Sequence, residues 1–344
     1  RRERLDDRWE SATRAWKVSP KVTDGVFDNM SDRFNRILVL DEIDSTNRLL
    51  MQMAGERAPD RQVIIADHQS AGRGRLGRAF SSPAGMGVYL SYLIRPGETP
   101  HPTPAGATFP PGGRSGSVAL PGGRLGTSAA MGAAAWTAVT SWTAVAVSDA
   151  IERVSGLRPA IKWVNDLYLP ESAHAGTDTT GKSASRTGTN LGRRTAHAGT
   201  DPGRKICGIL TQMDMDAESG EVRSIVIGIG VNVNERKLDF NKEIRDIAGS
   251  LRMATGERVN RAQLAAEMIR ALDEMYDAWP EEHERYLRAY REASLLPGRK
   301  VNVVSGASTR KATALSVGDD FSLKVRYEDN STESLTGGEV SIRM

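Results

Sequence analysis

Cysteine is almost absent: Cys207 is the only one in 344 residues, so no internal disulfide framework can staple the chain. A lone thiol suits a reducing compartment, and a cytoplasmic location is the expectation. Aromatic residues make up 6%, too few to supply a recognisable stacking platform for single-stranded nucleic acid. Long apolar runs are missing too. None approaches the ~18 residues that a membrane span needs, and the opening Arg1-Arg-Glu-Arg-Leu-Asp-Asp7 has no apolar signal core. An excess of one charge is likewise lacking, since 46 Lys and Arg against 43 Asp and Glu leave a net charge of +3. So small an excess does not argue for nucleic acid, and no DNA or membrane partner is expected. It suits anionic small substrates equally well.

What is present is an ordinary globular composition, 39% hydrophobic and 26% charged, over a length suited to about two domains. One stretch organises the rest: Asp67-His-Gln-Ser-Ala-Gly-Arg-Gly-Arg-Leu-Gly-Arg78. Strand-like runs flank it, at Gln62–Ala66 and Gly87–Ile94, which places a basic glycine loop between two strands at a sheet edge. Glycine lets backbone approach a ligand, and arginine offers a charged planar fork to carboxylate or phosphate. Taken alone, Gly-Arg-Gly also reads as a solvated basic turn.

Arg36–Glu42 reads as a strand, and Asp44-Ser-Thr-Asn47 as a helix start, where Ser45 and Thr46 suit capping as well as ligand contact. Pro96–Ser128 and residues 171–204 are rich in Gly with Pro or Thr and read as flexible insertions. Between them, Ala129–Val154 carries Ala144, Val147, Ile151 and Val154 at helical spacing. Lys162, Asn165 and Asp166 interrupt the apolar run 161–168, with a turn at Asn-Asp. Lys205–Gln212 and Val222–Asn234 read as neighbouring strands, in which Gly208, Gly228 and Gly230 imply close approach of a backbone or ligand. Residues 261–279 form a helix capped by Asn260. From Arg299 onward, five short strands predict a small SH3-like barrel.

These blocks together resemble the biotin protein ligases. Four motifs carry the resemblance, in the family's order: Asp44-Ser-Thr-Asn47; Asp67-x-Gln-x-x-Gly-Arg-Gly-Arg-x-Gly-Arg78; Lys162-Trp-x-Asn-Asp166; and Lys205-Ile-x-Gly-Ile-Leu210 with Gly228-Ile-Gly-Val-Asn-Val-Asn234. Val164 stands where the family usually has proline, Phe80 lies near the usual tryptophan, and the two insertions are extra. The resemblance implies an α+β fold with a mixed-sheet catalytic domain over 36–296, insertions at 97–128 and 171–204, and the SH3-like β domain over 297–344. Residues 1–35 would be an extension without a helix-turn-helix, hence a ligase of the kind lacking a DNA-binding domain.

The implied reaction joins biotin to ATP as biotinyl-5'-AMP, then passes biotin to a lysine of a biotin carboxyl carrier domain, from a monomer or homodimer. Lys162, Arg73 and Arg75 would be catalytic. Ser45, Thr46, Asn47 and Gln69 would read the ureido end of biotin, while Arg73, Gly74, Arg75 and Lys162 take its carboxylate. Arg73, Arg75, Arg78, Lys162, Asn165, Gly208 and Asn232 would bind ATP and adenylate, with Mg2+ on the phosphates and Asp166 as its ligand. Arg78 could equally contact the acceptor or be solvated, and Trp163 and Ile209 would wall the biotin rings. The rivals are a lipoate-type acyl-adenylate ligase and a basic nucleic-acid-binding protein.

Overall fold

The computed structural model describes residues 36–96, 136, 138–169, 202–306 and 308–342. The expected extension 1–35 and the insertion 97–128 lie outside the described residues, as does most of the insertion 171–204. That second insertion ends earlier than its composition suggests, because Arg204 already opens a strand.

Two sheets organise the chain, and the fold is α+β. The larger contains β1 (Ile37–Ile43), β2 (Val63–Gln69), β3 (Val88–Ile94), β4 (Ala160–Lys162), β5 (Asp166–Leu169), β6 (Arg204–Met215) and β7 (Val222–Val231). Their order is β1-β2-β3-β7-β6-β5-β4. Only β1 and β2 run parallel; the remaining pairs are antiparallel. The smaller sheet orders β8 (Lys300–Ser305), β9 (Ser308–Val317), β10 (Leu323–Tyr327), β11 (Thr332–Leu335) and β12 (Glu339–Ile342) as β11-β10-β9-β8-β12, antiparallel throughout. These are the five short strands expected after Arg299.

Period-two alternation decides which helix covers which face of the large sheet. Leu38, Leu40, Ile64, Leu93 and Val226 point to one side, where Leu49, Leu50 and Met53 of α1 (Thr46–Gly55) close over them. Their neighbours Val39, Val63, Ile65, Tyr92, Ile94, Ile225 and Ile227 point the other way. There they meet α2 (Val139–Ser155), α4 (Arg261–Asp277) and α5 (His283–Ala293), with the short α3 (Leu251–Thr255) alongside. Trp142 of α2 stacks on Tyr286 of α5 with centroids 3.9 Å apart and meets Trp279 edge-on at 4.7 Å. The same apolar cluster continues into Val301, Ala314, Phe321 and Leu323 of the small sheet. Trp163 Nε1 donates to the Phe321 carbonyl at 2.8 Å and fixes that junction.

The helix expected over 129–154 runs from Val139 to Ser155 where it is described, and Gly156 ends it in the left-handed conformation with φ 72°. Asn260 caps α4 as expected, its side chain accepting from the Gln263 amide. One placement needs correcting. The basic loop does not lie at a sheet edge: β2 and β3 are both interior strands, and the loop crosses their ends.

Just past β7, Glu235 is buried and, among the described residues, neither carboxylate oxygen has a hydrogen-bond partner. Burial raises its pKa from 4.5 to about 7. The folded state therefore holds a proton that the unfolded chain gives up between those values. Its contribution to stability is present below pH 4.5 and is lost as pH rises through about 7. Replacing Glu235 with glutamine should flatten this slope, read as the change in denaturant midpoint between pH 5 and pH 8. A wild-type slope that survives the replacement would remove Glu235 as its source.

Candidate active site

At the ends of β2 and β3, residues 72–80 fold back as a narrow hairpin. The Gly74 amide donates to the Arg78 carbonyl at 2.7 Å and the Phe80 amide to the Gly72 carbonyl at 2.9 Å. This hairpin roofs a cavity of about 270 Å³. The opposite wall is the tip of β4 and β5 with Lys162, Trp163, Asn165 and Asp166, and the floor is the sheet around Gly208, Gly228 and Gly230. Every candidate residue named from the sequence, from Ser45 to Asn232, lines this one cavity.

The Ser-Thr-Asn block sits where α1 begins. Ser45 caps the helix by accepting from the Arg48 amide. Thr46 donates from both its amide (2.9 Å) and its hydroxyl (3.1 Å) to Gln69 Oε1, and Gln69 Nε2 donates to Ser82 Oγ at 2.9 Å. Asn47 Nδ2 donates to Gln212 Oε1 at 2.9 Å, and Asn47 Oδ1 accepts from Ser91 Oγ at 2.7 Å. Ser91 also lies 2.8 Å from the Thr46 hydroxyl. Thr46, Asn47 and Gln69 are thus held in one orientation by a polar network that includes Ser91 and Gln212. Neither stood out in the sequence, because each sits inside a strand that reads as apolar.

The glycines of the floor make room chiefly for the protein itself. A Cβ on Gly228 would lie 2.2 Å from Asn47 Oδ1, and one on Gly230 would lie 2.5 Å from the Phe80 ring. The space expected for a flat ligand at these two positions is therefore occupied by Asn47 and by Phe80, which meets Tyr89 edge-on at 6.4 Å.

The three arginines of the hairpin have separate partners. Arg75 donates to Asn165 Oδ1 at 2.8 Å and to the Gly338 carbonyl at 2.7 Å, bridging the β4–β5 turn and the small sheet. Arg78 donates to the Glu339 carboxylate at 2.6 Å and is otherwise exposed. Arg73 is exposed at the cavity rim with no side-chain partner among the described residues. Asn165 is engaged at both ends of its carboxamide, since its Nδ2 donates to the Ile209 carbonyl at 2.8 Å, which leaves one further N–H. Asn232 Nδ2 donates to the Gly249 carbonyl at 2.9 Å, and Asn234 Nδ2 to the Val259 carbonyl at 3.0 Å. Asn234 is thereby tied to the segment before α4 and not to the cavity.

Lys162 makes no ion pair among the described residues; its ammonium lies 5.9 Å from the Tyr168 ring centroid. Burial lowers its pKa, with Asp166 opposing that shift. Asp166 itself is 2.7 Å from Lys205 Nζ. A further wall, Phe240, Ile244, Ile247 and Ala248, is irregular chain with no periodicity to announce it.

A mixed sheet carrying a basic hairpin, a lysine without an ion pair and an oriented amide–hydroxyl network in one cleft has the chemistry to hold a ligand that is anionic at one end and polar amide-like at the other. Comparison with known proteins narrows that class. The family model described as Biotin/lipoate A/B protein ligase family matches residues 39–232, and the chain belongs to this family. It is 30% identical over 236 residues to the Bifunctional ligase/repressor BirA of Bacillus subtilis (strain 168), covering 69% of this chain and 52% of that protein. The corresponding protein of Bacillus spizizenii is 29% identical over 240 residues, 70% of this chain and 53% of that one. The chain thus spans about half the length of the curated relatives it matches. Among solved structures, the biotin protein ligase from Aquifex aeolicus in complex with biotin and ATP shares the fold. Its TM-score is 0.60 at 20% identity, over 90% of this chain and 99% of that one. No helix among the described residues is long and apolar enough to cross a membrane.

Proposed function

We propose that this chain activates biotin with ATP and transfers it to a lysine of a biotin carboxyl carrier domain. A biotin carboxylate oxygen attacks the α-phosphorus of ATP, the bond to the bridging oxygen breaks, and pyrophosphate leaves. The acceptor amine then attacks the acyl carbon of biotinyl-5'-AMP, loses a proton, and AMP departs. The observation that carries this reading is the unpaired Lys162 ammonium in the same cleft as the Thr46, Asn47 and Gln69 network. Membership of the ligase family supports it, as does a relative whose name includes ligase.

The roles follow from what each residue has left to offer. The network needs both donors and acceptors to read a ureido group, and hydroxyls and carboxamides supply both. Lys162 and Arg73 hold the only cavity charges without an ion-pair or hydrogen-bond partner among the described residues, so carboxylate and α-phosphate meet there. Arg75 and Asn165 position the hairpin and reach the nucleotide from its rim, with Gly74, Arg78, Gly208 and Asn232 completing that side. Excluding water protects the mixed anhydride from hydrolysis; Trp163 and Ile209, expected to wall the biotin rings, instead turn their side chains into the core on the other face of the sheet.

A bound Mg2+ would neutralise phosphate charge during the first step. No cluster of three acidic, cysteine or histidine side chains occurs among the described residues. That donor set fits an ion carried mainly by phosphates and water; of the two carboxylates lining the cavity, Asp166 and Glu339, each already faces a cation, and Asp166 would be the one to hold the ion.

The test is pyrophosphate exchange into ATP that depends on added biotin, followed by transfer of labelled biotin to a carrier domain. Exchange supported by lipoate and not by biotin would overturn the reading in favour of a lipoate-type ligase. Salt-sensitive retention on DNA without exchange would overturn it in favour of a nucleic-acid binder. We further propose that 297–344 acts as a separate small β domain and that a monomer or homodimer in the cytoplasm carries the activity.

A further inference from the structure

On the face of the large sheet that α1 covers, two neighbouring rows run across β3, β7 and β6: Leu93, Val226 and Gln212, then Ser91, Gly228 and Leu210. Opposed residues of antiparallel strands share a face. Ser91 and Gln212 therefore stand at opposite corners of one patch, with bare Gly228 between them, and the Asn47 carboxamide fills the notch. Asn47 and Thr46 belong to the lining of the cavity, whereas Ser91 and Gln212 touch them from behind it.

The directions of these hydrogen bonds follow from one fixed point. A backbone carbonyl only accepts, so the atom of Asn47 beside the Leu210 carbonyl, at 3.4 Å, is Nδ2. Nδ2 donates its other hydrogen to Gln212 Oε1 at 2.9 Å. Oδ1 then faces Ser91 Oγ at 2.7 Å and takes the one hydrogen that Ser91 has. Ser91 is left as the acceptor in its 2.8 Å contact with the Thr46 hydroxyl. The Thr46 hydrogen accordingly points inward, between Ser91 Oγ and Gln69 Oε1, and Thr46 offers the cavity only lone pairs. The Leu210 contact is long, so Gln212 is what keeps the carboxamide from turning over. A turned carboxamide would present N–H to Ser91, and the direction of each hydroxyl after it would reverse.

We infer that Gln212 is a positioning residue that determines specificity: by fixing the Asn47 carboxamide, it sets Thr46 as an acceptor for N–H groups of the ligand. On the ligase reading, on which this role rests, those donors belong to the ureido ring of biotin.

Two variants test it: Gln212→Met, which keeps the length of the side chain without the acceptor, and Gln212→Glu, which keeps an acceptor. In biotin-dependent pyrophosphate exchange, KM for biotin should rise about tenfold in Gln212→Met, the scale of one lost hydrogen bond. It should return to within twofold of wild type in Gln212→Glu, with kcat and KM for ATP unchanged in both. A second measurement needs no ligand. In protein labelled with 15N-asparagine, the Asn47 side-chain signal, identified by its loss in Asn47→Ala, should exchange with solvent slowly in wild type and in Gln212→Glu. In Gln212→Met it should exchange at least tenfold faster. An unchanged KM for biotin in Gln212→Met would overturn the inference, as would a matching fall in kcat, which marks general damage. Failure of Gln212→Glu to restore KM would overturn it too. If wild type shows no exchange with biotin, the ligase reading fails, and the Asn47 signal still decides whether Gln212 holds the carboxamide.

Discussion

Replacing Lys162 with alanine is expected to slow biotin-dependent pyrophosphate exchange by about 10²–10³-fold, which corresponds to ~2.7–4 kcal/mol of lost transition-state stabilisation at one well-placed donor. The size of the effect rests on where the charge is and what else it does. Lys162 is half-buried at the end of β4 and forms no ion pair among the described residues, only an approach to the Tyr168 ring at 5.9 Å, so its ammonium can turn to a ligand. Burial has already lowered its pKa, with Asp166 only partly offsetting the shift, meaning that the site has given up hydration to hold an incompletely compensated cation. That cost is recovered only when an anion arrives. In the proposed first step two anions, a carboxylate and an α-phosphate, must come together, and the charge between them rises toward the transition state.

The same residue contributes little to the fold. No protein carboxylate loses its partner in the alanine variant, so melting should be unchanged or slightly raised. An exchange rate within threefold of wild type, in a folded Lys162→Ala protein, would remove Lys162 from the chemistry. The neighbouring arginines make an informative contrast. Arg75 and Arg78 are tied to Asn165, Gly338 and Glu339, and their loss would disturb the hairpin as well as any ligand contact.

Those ties also mark where sequence reading stops. The strands of the large sheet were legible because alternation and β-branched runs survive in any context. So was α4, with Leu264, Met268, Leu272 and Met275 on one face. The cleft was legible for a different reason: its residues cluster in four short blocks, each at a strand end or helix start. What joins the blocks is not local. Arg75 meets Gly338 and Arg78 meets Glu339 across more than 260 positions, and no spacing rule signals such a pair. Lys205 looked like an ordinary strand residue; the register shift on β6 turns it to the same face as Asp166, 2.7 Å from its carboxylate. The helix α5 was missed because its apolar face is reduced to Tyr286, Leu287, Tyr290 and Ala293 among many charges.

The glycines were half legible: their presence in strands signalled a close approach, but not by what. Gly228 shows the difference, and Gly228→Ala should cost about 2–4 kcal/mol in stability together with most of the affinity for biotin. Gly228 pairs with Ser91 on one side and Leu210 on the other, and the Asn47 carboxamide lies across the gap between them. An added methyl carbon would sit 2.2 Å from Asn47 Oδ1 and 2.6 Å from its Cγ, so Asn47 must leave. It cannot leave freely, because it is bonded to Ser91 and to Gln212. Each buried polar atom left without a partner costs about 1–3 kcal/mol. Ser91 is fully buried, and Thr46 is drawn in through its hydroxyl. The helix start that presents Ser45 and Thr46 to the cleft would shift with it. A second change separates the two losses. In the Gly228→Ala, Asn47→Ala double variant the clash is gone, so the denaturant midpoint should rise above that of the single variant. Biotin affinity, measured by calorimetry, should stay low because the carboxamide is missing. If the single variant binds biotin as tightly as wild type, Asn47 has room that the structure denies it, and the network's role in reading biotin falls with that observation.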